Sequence, residues 1–442
     1  MSSFHLVSLG CAKNLVDSEV MLGLLQESNF QLTNDPAGAD ILIVNTCGFI
    51  QPAVEEAIEV ILEMAAFKKN DPAKFLVVTG CLVQRYVTDL ESDLLEVDLF
   101  VGTEGVADIV SLLQKLIAGK QTDKAFCPDR FLMNADLPRL VSTPFFRSSV
   151  KITEGCSNRC TYCMIPFIRG DLRSRGIDDI LVEMQRLEDS GVKEISLIAQ
   201  DITAYGNDLD DASHLMALLS RILKETSFPW LRLMYLYPSG VPDELFALMA
   251  SEDRILPYMD IPFQHVSDSI LKGMHRRYGF DDLCSFVENI RAAVPDIALR
   301  TTMMVGFPGE TEEDVVRLEG FLKQYRIDHV GVFAYTNEDG AMSEFYELQC
   351  AEELKLERMN RVMELQAGIS EEILQKYVGQ TVPVLVEGLS RETDLLLEGR
   401  TVYQAPEIDG CVYINDGTAS PGDIVQVRIA EAQVYDLVGG IV

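Results

Sequence analysis

Three cysteines crowd into ten residues: EGCSNRCTYC, residues 154–163, sets Cys156, Cys160 and Cys163 apart by three and then two residues. Thiols this close bind metal far more often than they share a core by accident. A structural zinc takes four ligands. A cubic 4Fe-4S group also has four corners, usually with one thiolate on each. No fourth Cys or His lies near in sequence, since Cys127 and Cys284 are distant. Three thiolates on a cube leave one iron open to a substrate or cofactor.

A second set is spread out. Cys11, Cys47 and Cys81 are 36 and 34 residues apart, and each directly follows an apolar run: LVSLGC, LIVNTC and LVVTGC. One βαβ unit takes ~30 residues or more. If the three runs are parallel strands, their C-terminal ends share one edge of a sheet, where ligand sites form. The bland alternative is that cysteine, a small hydrophobe, merely ends buried strands. Gly10 and Gly80 precede two of the three and suit tight turns around a bulky group.

The elements that must position these thiols fall into successive units. Over residues 1–130, four apolar strands (FHLVSLGC, ADILIVNTCG, FLVVTGC, VDLFVGT) alternate with helical patterns such as PAVEEAIEVILEMAAF. That is the signature of a parallel α/β sheet. Residues 131–146, proline-bearing and without a period, read as a linker. Over 147–345 six strand candidates recur: RSSVKITEG, KEISLIAQ, WLRLMYLYP, LPYMDIPFQH, ALRTTMMVGF and DHVGVFAYT. Interleaved with helices, six strands suggest a partial (β/α)6 barrel, and the first thiol set falls on the loop after its first strand, the end where barrels carry chemistry. A charged helical connector spans 346–376. Over 377–442, TVPVLVEGL, DLLLEGRT, CVYIND and DIVQVRIAEAQVYDLVGG alternate with turn signals and read as a small antiparallel β-barrel for binding.

Bulk composition narrows the class. The chain has 442 residues, 48% hydrophobic and 24% charged, which argues for several folded cores and against extensive disorder. Its formal net charge of −32 favours a basic partner over a phosphate backbone, unless the acidity serves solubility alone. From Val378 to Val442 ten acids face three arginines, a net −7, where a tRNA-binding barrel would need a basic groove. The N-terminal MSSFHLVSLGC lacks a signal-peptide pattern and no apolar run approaches a membrane span. The expectation is a cytoplasmic chain with no membrane partner, whose ten cysteines sit in a reducing setting.

The spacing C-x3-C-x2-C with Tyr162 before the last cysteine resembles the radical S-adenosylmethionine enzymes. In those enzymes the methionine moiety occupies the open iron. Adding the second thiol set, the partial barrel and the terminal β-domain (TRAM-like by resemblance), nearly the whole chain resembles the methylthiotransferases. SLGCAKNLVDSE, EGCSNRCTYCMIPFIRGDLRSR, QDITAYG and DIPFQH look like the branch acting on a ribosomal protein, although Ile202 stands where Thr is expected after QD. The resemblance implies two 4Fe-4S clusters, one on Cys11, Cys47 and Cys81 and one on Cys156, Cys160 and Cys163, together with S-adenosylmethionine. It implies methylthiolation of the β-carbon of an aspartate in small-subunit ribosomal protein twelve, an external electron donor, and no catalytic group assigned beyond the cluster ligands. The alternatives are a tRNA adenosine methylthiotransferase, a non-catalytic iron–sulfur carrier, and a zinc-bound structural protein, which triads of three disfavour.

Further candidates lie at barrel strand ends. GFPGETEED follows the fifth barrel strand, and the resemblance makes its Gly306, Gly309 and Glu310 line the S-adenosylmethionine pocket. Thr311 needs no more than an N-cap role there. Gln200, Gln264 and Arg300 sit where they could face that cofactor or be ordinary satisfied polar groups. His214, His275 and His329, and the isolated Cys127, Cys284, Cys350 and Cys411, need no function.

Overall fold

The computed structural model describes residues 2–120 and 123–442. The first unit is a six-stranded sheet built from β1 (Ser3–Ser8), β2 (Gln31–Leu32), β3 (Ile41–Thr46), β4 (Phe75–Gly80), β5 (Leu99–Val101) and β6 (Ala125–Phe126). Its order is β2-β1-β3-β4-β5-β6 and every pairing is parallel. Both faces of β3 are buried, as a parallel strand with helices on either side requires. The four strands expected from sequence are present. The edge strands β2 and β6, two residues each, are too short to leave a periodic signal.

Strand β7 (Arg147–Lys151) leads into a ribbon of β8 (Thr153–Glu154) and β9 (Arg173–Ser174), paired antiparallel around the cysteine loop. Then come β10 (Glu194–Ile198), β11 (Trp230–Leu233), β12 (Ile255–Asp260), β13 (Ala298–Val305) and β14 (His329–Ala334). Together with β7 they form one open, all-parallel sheet in chain order, the expected partial barrel. Stretch 127–146 has no helix or strand, yet it is an ordered strap. Arg139 within it pairs with Glu19 at 2.6 Å and Glu183 at 2.6 Å, tying the helix Ala12–Glu27 to the barrel helix Ile177–Asp189.

The helix Glu352–Leu374 connects to β15 (Thr381–Leu389), β16 (Leu397–Thr401), β17 (Val412–Asp416), β18 (Ile424–Ala432) and β19 (Leu437–Ile441). These close into a five-stranded barrel. DIVQVRIAEAQVYDLVGG breaks into two strands where the chain turns through residues 433–436. One pairing, β17 with β19, is parallel, and the other four are antiparallel as expected. Among the described residues, no helix is long and apolar enough to cross a membrane.

The terminal barrel docks on residues that open the strands of the central sheet. Arg147, Glu194 and His329 are each the first residue of their strand. Arg147 meets Glu407 at 2.9 Å, Glu194 meets Arg400 at 2.6 Å, and His329 Nε2 lies 2.9 Å from the Tyr403 carbonyl. The cysteine loops leave the opposite ends of the strands. Glu194 is the key group here: Arg232 and Arg400 both clamp its buried carboxylate. Burial alone would raise its pKa, but the two guanidiniums outweigh that and hold it at about 2.

Replacing Arg400 by Met leaves that carboxylate half-neutralised, and the expected cost is about 3–5 kcal/mol in chemical denaturation. Adding Glu194→Gln should recover part of it, since removing both charges is cheaper than stranding one. The carboxylate's contribution is present above its unfolded value of ~4.3 and is lost as pH falls from there towards about 2. The stability gap between the parent chain and E194Q should therefore close over that window.

Candidate functional site

Strands β1, β3 and β4 are neighbours, and Cys11, Cys47 and Cys81 follow their C-terminal ends on one edge. Cys11 caps the helix Ala12–Glu27 and Cys81 begins the helix Cys81–Asp93, so two of the three sit at the positive end of a helix dipole. A Cβ placed on Gly10 would stand 2.8 Å from Cys47 Cβ and 3.1 Å from its Sγ, and Gly10 has φ +88°. The turn therefore needs glycine for its conformation and for the closeness of Cys11 to Cys47. The three thiols also feel one another electrostatically, as neighbours do.

The barrel set is held by its own turn. Gly155, at φ +73°, lets the chain press against the carbonyls of Gly170 and Asp171, and Cys156 N donates to Gly170 O at 3.1 Å. Cys163 N donates to Cys160 O at 3.1 Å, keeping these two on one turn. Arg276, half-buried against Tyr237 and Tyr278, points Nη1 at Cys160 Sγ at 3.6 Å.

A buried ion network ties the units that carry the two sets. Lys151 and Arg169 share the carboxylates of Asp17 and Glu154: Arg169 meets Asp17 at 2.6 Å, Lys151 meets Glu154 at 2.7 Å, and Lys151 also pairs with Asp17. Asp17 belongs to the N-terminal unit and the other three to the barrel. The other end of the Arg169 guanidinium reaches Cys81 Sγ at 3.2 Å. A strap after β14 adds a second tie. Glu338 accepts from Arg85 at 2.9 Å and from Gln51 N at 3.0 Å, Ala341 packs with Cys81, Met164 and Ile168, and Ser343 N donates to Thr161 O at 3.0 Å.

The thiols differ in proton affinity. Burial pushes Cys81 up to about 11 against the pull of Arg169, and burial also raises Cys47, Cys156 and Cys163, the last with Cys160 adding to it. At Cys11 the walls of the site push upward, but Lys13, the Asn14 amide and Arg169 outweigh them and bring it below the usual thiol value. Thiolates in such settings form against a compensating cation, and metal ligation supplies one. Among the described residues, no three His, Cys, Asp or Glu side chains close on a point tightly enough for a single metal ion. A four-iron cube spreads its thiolates over separate corners, wider than the shell of one ion. Six thiols in two triads, backed by helix ends and an arginine on a sulfur, suit two such groups.

The other expected residues divide. Gln200 sits beside the thiol loops: its Nε2 donates to Glu154 at 3.2 Å and its carbonyl oxygen is buried with no partner among the described residues. Gln264, at φ +70°, bridges to β13 through Met304 N at 2.6 Å. Arg300 is already engaged, with Asp260 at 3.0 Å and Asp409 of the terminal barrel at 3.4 Å. Glu310 braces its own loop: its Oε1 accepts from Gly306 N at 2.9 Å and from Arg358 at 2.8 Å. Gly306 and Gly309 supply the positive φ of that loop, at +76° and +85°. Thr311 is the N-cap expected, in a reciprocal capping box with Asp314. Sequence reasoning assigned no role to Asp17, Lys151, Glu154, Arg169 or Arg276. All but Arg276 lie inside quoted stretches, but their pairing joins distant segments.

Residues 3–102 match an uncharacterised protein family, UPF0004, residues 150–322 the radical SAM superfamily, and residues 378–442 the TRAM domain. The chain is 59% identical over 439 residues to the ribosomal protein uS12 methylthiotransferase RimO of Desulfotalea psychrophila, covering 99% of each. It is 45% identical over 437 residues to the protein of the same name from Syntrophotalea carbinolica, covering 99% of this chain and 96% of that one. Among solved structures it resembles the radical S-adenosylmethionine methyltransferase TsrM from Kitasatospora setae, with tryptophan and a SAM analogue bound. The TM-score is 0.59 and the identity 15%, over 84% of this chain and 89% of that one. The cobalamin-dependent radical enzyme OxsB gives 0.52 at 11%, over 83% and 56%. At such identities these structures speak for the fold alone.

In the metal-free chain, alkylation at neutral pH should reach Cys11 first among the six, because it is exposed and its pKa is lowered. Cys81, buried and raised, should react far more slowly. Mass spectrometry of timed iodoacetamide quenches gives the order.

Proposed function

The chain belongs to the ribosomal protein uS12 methylthiotransferase (RimO) family, and from that premise we propose that it methylthiolates the β-carbon of an aspartate in uS12 with two 4Fe-4S clusters and S-adenosylmethionine. It is a radical S-adenosylmethionine transferase. The observation that carries the finer reading is the meeting of two thiol triads across the Asp17–Lys151–Glu154–Arg169 network. Cys156, Cys160 and Cys163 would hold one cluster, with S-adenosylmethionine at its open iron, and Cys11, Cys47 and Cys81 the other. When bound, these groups supply reductive cleavage of S-adenosylmethionine to a 5′-deoxyadenosyl radical and a sulfur for transfer. The electron comes from a donor outside the chain. The units 1–130, 147–345 and 377–442, joined by the linker 131–146 and the connector 346–376, are the working parts of this proposal.

The protein's own part is placement and exclusion of water. Gly10 and Gly155 let each thiol loop close tightly, Arg276 and Arg169 each face a sulfur, and the buried network fixes the two loops relative to one another. Gln200 offers its unspent carbonyl oxygen beside Glu154, a place for a donor on S-adenosylmethionine. Arg300 is spent on Asp260 and Asp409, while Glu310 gives Oε1 to Gly306 N and Arg358 and keeps a buried Oε2 with no hydrogen-bond partner among the described residues. The N-terminal unit and the strap 335–350 pack on the thiol loops, whereas the terminal barrel packs where the central strands begin, which makes it the better candidate for substrate docking. Five of its acids are exposed (Glu392, Asp394, Glu407, Asp416 and Glu431) against exposed Arg391 and Arg428. Arg400 is buried and spent on Glu194 and Glu387. Such a surface suits a protein that must itself carry cations to live on RNA, and it repels tRNA phosphates.

Replacing Cys156, Cys160 and Cys163 together by Ala should remove about half the iron of the anaerobically reconstituted chain and all formation of 5′-deoxyadenosine. Replacing Cys11, Cys47 and Cys81 should leave cleavage but abolish methylthiolation. Full iron in the first variant, or lost cleavage in a folded second variant, contradicts the division of labour. Reversing Glu392 and Asp394 to Lys should weaken binding of uS12 severalfold at low salt and less at high salt. Gain of uS12 affinity on reversal contradicts the docking surface.

A further inference from the structure

One guanidinium stands between the two thiol sets, and its two ends do different work. Arg169 Nη1 serves the carboxylates, at 2.6 Å from Asp17 and 3.4 Å from Glu154. Nη2 faces the other way, to Asn14 Oδ1 at 3.3 Å and Cys81 Sγ at 3.2 Å. The side chain is 3% exposed. Its neighbour Gly170 accepts the backbone hydrogen bond of Cys156 at 3.1 Å. A single turn, Arg169–Gly170, therefore touches the barrel triad through its backbone and the N-terminal triad through its side chain.

Charge balance of the network accounts for Nη1: with Lys151, Arg169 makes two cations against two carboxylates. It leaves Nη2 unexplained. A lysine in this place would supply the charge but not a planar fork that serves both sides at once.

We propose that Arg169 is a positioning residue for the N-terminal cluster, which it holds by a charge-assisted hydrogen bond to the Cys81 sulfur, and that this bond raises the cluster's reduction potential. The inference rests on Cys11, Cys47 and Cys81 being that cluster's ligands. A donor and a positive charge on a ligating sulfur stabilise the more negative, reduced state, and hydrogen bonds to sulfur are among the main controls of such potentials. The same bond holds Cys81 against the turn whose Gly170 carbonyl accepts from Cys156 N, one of the contacts that link the two triads.

The test uses the full chain carrying C156A, C160A and C163A, so that only the N-terminal site loads. Its midpoint potential is read by redox titration followed by electron paramagnetic resonance, with Arg169 intact, as R169K and as R169M. R169K retains the charge that balances Asp17 and Glu154, which keeps the experiment interpretable if R169M fails to fold. The expected result is that R169K loads iron and its midpoint falls by at least about 59 mV, a tenfold drop in the ratio of reduced to oxidised cluster at fixed potential for a one-electron couple. R169M, where folded, falls further. An unchanged midpoint in iron-loaded R169K overturns the proposal. So does iron loss with an unmoved midpoint in the fraction still loaded, since that is the mark of a mere brace. If the parent triple variant takes up no iron at all, the ligand assignment falls, and this inference with it.

Discussion

The site is organised around four buried charges. Asp17, Lys151, Glu154 and Arg169 are each at most 6% exposed in their side chains, and one comes from the N-terminal sheet unit while three come from the barrel. Stripping such ions of water costs several kcal/mol apiece, and the cost is offset only when every partner is in place. The N-terminal unit therefore cannot slide on the barrel without leaving a carboxylate or an ammonium unpaired. What this constraint protects is the separation of the two thiol triads. The ion pairs join the two units that carry them, and the guanidinium that closes the network also touches a sulfur.

The thiols follow from their surroundings in the same way. Strand ends and helix starts converge on a parallel sheet edge, so cysteines dozens of residues apart become neighbours at a place already favourable to negative charge. Burial raises the proton affinity of Cys47, Cys81, Cys156 and Cys163, whereas Lys13, Asn14 and Arg169 lower that of Cys11. A set of thiols that resists ionisation without a counter-charge is a set tuned for metal. At the other end of the barrel the logic is purely structural: Glu194, Arg232 and Arg400 weld the terminal barrel to the strand starts, and the outward acids of that barrel remain for a partner.

Much of this was legible in the sequence because local pattern carried it. Apolar runs of strand length gave all six central strands, and a cysteine at the end of three N-terminal runs was enough to place them on one edge. Local pattern is also where the reading stopped. Strands β2 and β6 are shorter than any period, and the parallel pairing of β17 with β19 depends on a turn through residues 433–436 with no strong turn signal. Arg300 and Glu310 show the same limit: in sequence, a polar residue near a strand end looks the same whether it meets a ligand, another side chain or both. Their partners, Asp409 and Arg358, lie 109 and 48 residues away. Arg169 was invisible for the same reason: the residues that define its role, Asp17 and Cys81, are 152 and 88 residues distant.

The central claim is spatial: two iron groups, one on each triad, with the buried network tying together the units that hold them. Anomalous diffraction at the iron absorption edge, from crystals of the anaerobically reconstituted chain, measures it directly. The account predicts two separate iron peaks, one bounded by Cys11, Cys47 and Cys81 and the other by Cys156, Cys160 and Cys163, with Arg169 between them. A single iron peak, or a second one away from Cys11, Cys47 and Cys81, would contradict it.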